Sequence, residues 1–111
     1  MNEGQVRYNC AIDATMSVIE GRWKGTILCM LHRNGPMRFS ELQRAIGEVS
    51  SRILSKQLRE LEADRMVLRT AEEGNRVSYE LTSRGTTIIP VLESIGRWGM
   101  ENRFVDVIVP E

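Results

Sequence analysis

The side chains with the most reactive chemistry in this sequence are Cys10, Cys29 and His32. A thiol or an imidazole can act as nucleophile, base or metal ligand, but each needs partners. A structural zinc site takes about four ligands and a catalytic one about three, and no Cys-x-x-Cys pair is present to begin either. Cys29 and His32 stand three apart on a predicted helix and share a face. Cys29 also reads as a small buried hydrophobe, and His32 as a surface residue near a helix end. A Ser-His-Asp triad would have to use His32, the one histidine, and no strand-turn-helix elbow surrounds a serine there. Glycines are scattered, without a Gly-x-Gly-x-x-Gly or Walker-type loop. No enzymatic activity, metal or cofactor is therefore expected.

A second group of residues has the chemistry of nucleic-acid recognition. Arg52, Ser55, Lys56 and Arg59 fall at i, i+3, i+4 and i+7, opposite Leu54, Leu58 and Leu61. One helix would then bury its leucines and present cations and a hydroxyl. Arginine and lysine donate to guanine O6 and N7 in the major groove, and serine bonds either base or phosphate. Ser50 and Ser51 open the same helix, where free N–H groups favour phosphate. Arg38 and Ser40 precede the helix before it, and Asn75 and Arg76 sit at a predicted hairpin tip, where they would reach a neighbouring minor groove or phosphate. A basic stripe opposite a leucine stripe also describes any solvated amphipathic helix, and Arg38 and Arg44 read equally as surface charges. The surrounding elements must therefore discriminate.

Those elements follow in a definite order. Ile12, Met16 and Ile19 recur at helical spacing, and Gly21 breaks that helix. A second helix begins near Arg22, with Trp23, Ile27, Met30 and Leu31 on one stripe, and Asn34-Gly35-Pro36 ends it. Met37-Arg38-Phe39 is a short extended link. Ser40 reads as the N-cap of a short third helix, with Gln43 completing a capping box, and Gly47 closes it. Ser50 caps a fourth helix that runs to about Asp64. Val67–Glu72 and Arg76–Leu81 read as strands, and the Gly-Asn between them signals a two-residue hairpin turn. Thr82 caps a last helix from about Ser83 to Glu101, which Pro90 should kink near Gly85–Thr87. The tail from Phe104 to Val109 is markedly apolar. Two short helices around a tight turn, then a hairpin, describe a winged helix-turn-helix. The fold class is mainly α with a small β-hairpin wing.

Composition agrees with one such unit. The 111 residues suit a single domain, 1–111, and 41% hydrophobic with 27% charged residues is ordinary for a globular chain. No apolar run approaches the ~20 residues of a membrane span, and residues 1–10 lack the apolar core of a signal peptide, so a cytoplasmic location is expected. In that compartment a Cys10–Cys29 disulfide is disfavoured. Net charge is zero, yet Arg22 to Arg59 contains eight basic and two acidic residues, giving +6 there and −6 elsewhere. The basic segment coincides with the predicted helix-turn-helix.

Several stretches resemble the HxlR family. They are Cys10-Ala11-Ile12-Asp13-Ala14-Thr15, Val18-Ile19-Glu20-Gly21-Arg22-Trp23-Lys24, Arg38-Phe39-Ser40-Glu41-Leu42, and Leu54-Ser55-Lys56-Gln57-Leu58-Arg59-Glu60-Leu61-Glu62. Val77-Ser78-Tyr79-Glu80-Leu81-Thr82 and Arg84-Gly85 extend the match. The resemblance implies a small prokaryotic transcription regulator, related to MarR regulators, that binds a DNA operator as a homodimer. It places a DNA-binding core at about 22–82 and dimerisation elements at about 1–20 and 83–111. Ile12, Met16, Ile88, Leu92, Ile95, Trp98 and Phe104 would then line the dimer interface. Two-fold symmetry would set two recognition helices ~34 Å apart on a pseudo-palindromic site. Some regulators of this type sense electrophiles or oxidants through a cysteine near the N-terminus, and Cys10 stands at that position; it also reads as a structural thiol at the interface. Ala11 stands where the family usually has proline, and Arg65 where it usually has glycine, so Arg65 must take a left-handed helix cap or the turn is reshaped. The wing, Glu72 to Arg76, is shorter than in many relatives. Two other functions fit the same elements: a winged-helix module for protein–protein assembly alone, and a MarR-like regulator controlled by a small molecule.

Overall fold

The computed structural model describes residues 7–8 and 10–103. Among these residues six α-helices and three strands follow one another: α1 (Ala11–Ile19), α2 (Lys24–Asn34), β1 (Met37–Arg38), α3 (Phe39–Ile46), α4 (Ser51–Ala63), β2 (Val67–Ala71), β3 (Val77–Leu81), α5 (Ser83–Thr87) and α6 (Ile89–Asn102). This is the expected winged helix-turn-helix. No helix among the described residues is long and apolar enough to cross a membrane.

The core forms where the helical stripes converge. Ile27 and Leu28 of α2, Leu42 of α3, and Leu54, Leu58 and Leu61 of α4 are completely buried. The leucine spacing in α4 required that outcome, since residues at i, i+4 and i+7 share a face. Lys24 is also buried, and its ammonium meets the Glu60 carboxylate at 3.1 Å, joining α2 to α4. The sheet closes the other side. Its order is β1-β3-β2, all antiparallel, with Met37 opposite Tyr79 and Val67 opposite Leu81. The extended link before α3 is thus a third strand added to the hairpin, and it anchors the wing to the helix-turn-helix.

Four local expectations need adjustment. Helix α2 begins at Lys24, not Arg22. Helix α3 begins at Phe39, one residue before the predicted Ser40 cap, and Arg38 is its N-cap. The Glu41 carboxylate accepts from the Arg38 backbone N–H at 2.9 Å, while Gln43 turns away to donate to Ser51 Oγ at 2.9 Å. The hairpin loop is longer than two residues: a single turn, Glu73–Asn75, is closed by Glu72 N–H donating to the Arg76 carbonyl at 2.7 Å. Gly74 and Asn75 there have φ of 73° and 61°, the left-handed values that the Gly-Asn pair tolerates. The last helix is two helices. Thr82 caps α5 as expected, with Oγ1 accepting from Gly85 N–H at 2.9 Å, but the chain breaks at Ile88. Pro90 lies in the first turn of α6, where a missing N–H is tolerated; continuing α5 through it would leave the Thr86 carbonyl without its donor.

Arg65 does adopt the left-handed conformation, φ 61°. Met66 N–H donates to the Leu61 carbonyl and Arg65 N–H to the Glu62 carbonyl, both at 2.9 Å, so α4 ends in a Schellman motif with Met66 buried behind it. A side chain in that conformation costs about 1 kcal/mol. Arg65→Gly is expected to raise stability by about 0.5–1 kcal/mol, read as a higher urea midpoint with unchanged slope. A midpoint at or below the wild-type value would contradict the strain.

Candidate nucleic-acid interface

Helices α3 and α4 are joined by Gly47 to Ser50, with Val49 buried beneath the turn. Ser50 caps α4, its Oγ accepting from Ile53 N–H at 3.2 Å. Gln43 holds the turn from the α3 side through Ser51 Oγ and the Val49 carbonyl, 3.3 Å away. These bonds set α4 rigidly on the core through Leu54, Leu58 and Leu61. The opposite face presents Ser51, Arg52, Lys56 and Arg59, all exposed, with Ser55 half-buried at its flank.

Ser55 looks into an open cleft of ≈ 640 Å³ between the start of α3, helix α4 and the β2–β3 hairpin. Arg38, Ser40, Asn75 and Arg76 line the same cleft. Five of the expected contact residues, 20 or more positions apart in sequence between link and wing, therefore share one concavity. Ser50, Ser51, Arg52, Lys56 and Arg59 do not line it; they are exposed at the start and on the outer face of α4. Of the other lining residues, Phe39, Arg69, Val77 and Tyr79, Arg69 brings a cation that was not anticipated. It shares a strand face with the buried Val67 and pairs with Tyr79 across the sheet, so it is a cation on the side that faces the helices. Period-two alternation from Val67 would have pointed to it once the inward face of the strand was known.

The charges in this region differ in how free they are. Arg38 Nε lies 3.4 Å from the Glu72 carboxylate, an ion pair that fastens the wing to the start of α3. Among the described residues, Arg52, Lys56, Arg59, Arg69 and Arg76 have no carboxylate within 4.0 Å. Such unpaired, exposed cations are the groups that exchange counterions for phosphates.

The remaining chemistry lies elsewhere. Cys10 is exposed and immediately precedes α1, but its side chain makes no capping bond. Cys29 is partly buried on α2; burial pushes its thiol above the ordinary range, Glu93 adds to that, and Arg33 opposes it. His32 is exposed. No three His, Cys, Asp or Glu side chains among the described residues are grouped to hold a metal. On α1 and α6 the apolar residues Ile12, Met16, Ile95 and Trp98 are exposed, Ile12 and Trp98 by 69% and 62%. Ile88 and Leu92 instead pack against this chain's own core, and Phe104 lies outside the described residues. Val91 and Met100 add to the exposed apolar surface of α6.

Comparison with known proteins places this geometry. A family model described as HxlR-like helix-turn-helix matches residues 18–106. An HTH-type transcriptional regulator of Halalkalibacterium halodurans is 42% identical over 91 residues, 80% of each chain. One from Methanothermobacter thermautotrophicus is 38% identical over 98 residues, 86% of this chain and 74% of that one. Among solved structures, the redox regulator HypR in its reduced form superposes with a TM-score of 0.77 at 36% identity, over 86% of this chain and 95% of HypR. A MarR-family regulator from Enterococcus faecalis V583 superposes with a TM-score of 0.74 at 33% identity, over 91% and 93% of the two chains.

Proposed function

The chain belongs to the HxlR-like helix-turn-helix family of transcription regulators, and from that premise we propose that it binds a pseudo-palindromic DNA operator as a homodimer. The observation that carries this is the face of α4: Arg52, Lys56 and Arg59 stand exposed and unpaired among the described residues, beside a cleft in which Arg69 and Arg76 of the wing are also unpaired. In this reading α4 enters the major groove with its N-terminal turns toward the bases. The wing, short as it is, meets the flanking backbone through Asn75, Arg76 and Arg69. Ser40, Ser50 and Ser51 supply phosphate-directed hydroxyls near the helix starts, and Arg38 exchanges Glu72 for a phosphate. Residues 22–82 make the DNA-binding core. Residues 1–20 and 83–111 make the dimer, for which the exposed apolar residues of α1 and α6 are the supporting observation. Such a regulator works in the cytoplasm, and no catalytic step is required of it.

Cys10 supports a second element, release of DNA on thiol oxidation. Its thiol is exposed at the start of α1, within the proposed dimer segment, and HypR, similar in fold and sequence, is a redox regulator. Cys29 is the poorer candidate because burial, helped by Glu93 and opposed only by Arg33, pushes its thiol above the ordinary range and so disfavours the thiolate.

Selection of bound fragments from the source genome, with and without hydrogen peroxide, tests both elements. Symmetric sites should be retained, with affinity falling steeply as salt rises, since log K drops by ≈ 0.9 per phosphate neutralised for each unit of log salt. Peroxide should release them from wild type but not from Cys10→Ser. Retention of no fragment at low salt would make the protein an assembly module instead. Equal peroxide release from Cys10→Ser would remove Cys10, and no peroxide effect at all would turn regulation over to a small-molecule effector.

A further inference from the structure

Ile53 is the exception on the exposed surface of α4. It is 45% exposed, stands outside the core cluster, and shares the first two turns with Ser51, Arg52 and Lys56. Its backbone N–H is held by the Ser50 cap, so its position on the helix is fixed. A large β-branched side chain there neither fills the core nor favours the helix, and it leaves apolar surface in water.

We propose that Ile53 is a specificity residue, packing on the 5-methyl group of a thymine in the major groove. This rests on the DNA-binding reading of α4. A helix with its side chains is ≈ 10–12 Å across and the major groove ≈ 12 Å wide, so residues on the flanks of an inserted helix meet base edges as well as those at its tip. Ile53 lies on the flank of the cationic stripe opposite Ser55. The thymine methyl is the one apolar group that the four standard base pairs present in that groove. An isoleucine gains nothing from phosphates or from acceptor edges, and gains contact there. Arg52 and Lys56 would hold neighbouring backbone or guanine, while Ile53 distinguishes thymine from cytosine.

The test uses the full-length chain and a duplex selected by it from a random library. Each thymine of one half-site is replaced singly by deoxyuridine, which removes only the methyl group, and affinity is measured by fluorescence anisotropy. For wild type, one replacement should weaken binding by about four-fold, the worth of one buried methyl. For Ile53→Ala the same replacement should have no effect, and Ile53→Val should retain part of it. A loss that persists in Ile53→Ala, or the absence of any uracil-sensitive position in wild type, overturns the assignment while leaving DNA binding by α4 intact. Failure to select any duplex would instead overturn the reading on which it rests.

Discussion

Replacing Lys56 and Arg59 together by alanine is expected to weaken operator binding by about 100-fold or more at ~0.1 M salt, without unfolding the protein. Each base-directed cation is worth about 1–3 kcal/mol of recognition, and the proposed dimer would lose four of them. Both side chains are exposed and have no carboxylate partner among the described residues, so their removal should change stability by no more than about 0.5 kcal/mol. The salt series separates their roles. If both bond phosphates, the slope of log K against log salt should flatten by up to about four; if both bond guanine, affinity should fall with the slope nearly kept and specificity relaxed. An operator affinity within about three-fold of wild type would remove α4 from the interface.

A methyl group on Gly85 should have the largest effect on stability. Gly85 is buried in α5, and a Cβ built on it would collide with the backbone carbonyl oxygen of Met66 and crowd Leu81. That carbonyl cannot move freely. It accepts from Thr82 N–H at 3.1 Å, while Thr82 Oγ1 donates to the Arg65 carbonyl at 2.6 Å and accepts from Gly85 N–H. Helix α5 is therefore stitched onto the Schellman turn that ends α4. Overpacking against side chains costs about 1–3 kcal/mol, and a clash with bonded backbone belongs at the upper end or above. For a domain of ~100 residues, about 3 kcal/mol corresponds to a fall in Tm of about 12–20 °C. Thermal unfolding of Gly85→Ala followed by circular dichroism measures this directly; a Tm within about 3 °C of wild type would show that α5 can lift away without loss.

Much of this arrangement was legible in the sequence because its causes are local. The Leu54, Leu58, Leu61 repeat, the Ser50 and Thr82 caps, and the positive φ of the Gly-Asn pair each depend on a few consecutive residues, whereas the left-handed Arg65 was suggested by the family resemblance, with a reshaped turn as the alternative. The inaccuracies arose where a local signal met a long-range competitor. Ser40 has the side chain of an N-cap, yet pairing of Met37 and Arg38 with β3 moves the cap of α3 two residues earlier, to Arg38, and Gln43 finds better partners across the turn. Pro90 was expected to kink one helix; it instead opens a second, since its missing N–H is harmless only in a first turn. Ile88, Leu92 and Ile95 read as one apolar stripe; the fold packs the first two, partly buried, against the core and leaves Ile95 exposed, a difference that depends on what lies beneath the helix.

The amino-acid sequence by itself determined the helix-turn-helix, the buried and cationic faces of α4, and the confinement of the +6 charge to residues 22–59 within a neutral chain. Those are consequences of spacing and composition, which act over a helical turn or simply add. What lines the cleft beside α4 was decided only in three dimensions. The register that sets Arg69 beside Tyr79 brings it into the cleft, and the addition of β1 to the sheet brings Arg38 within 3.4 Å of Glu72, 34 residues away. A strand pattern specifies two faces but not which one meets the helices. Ion pairing between distant segments depends on the closed sheet, so the sequence counts Arg38 as a free cation and the fold pairs it.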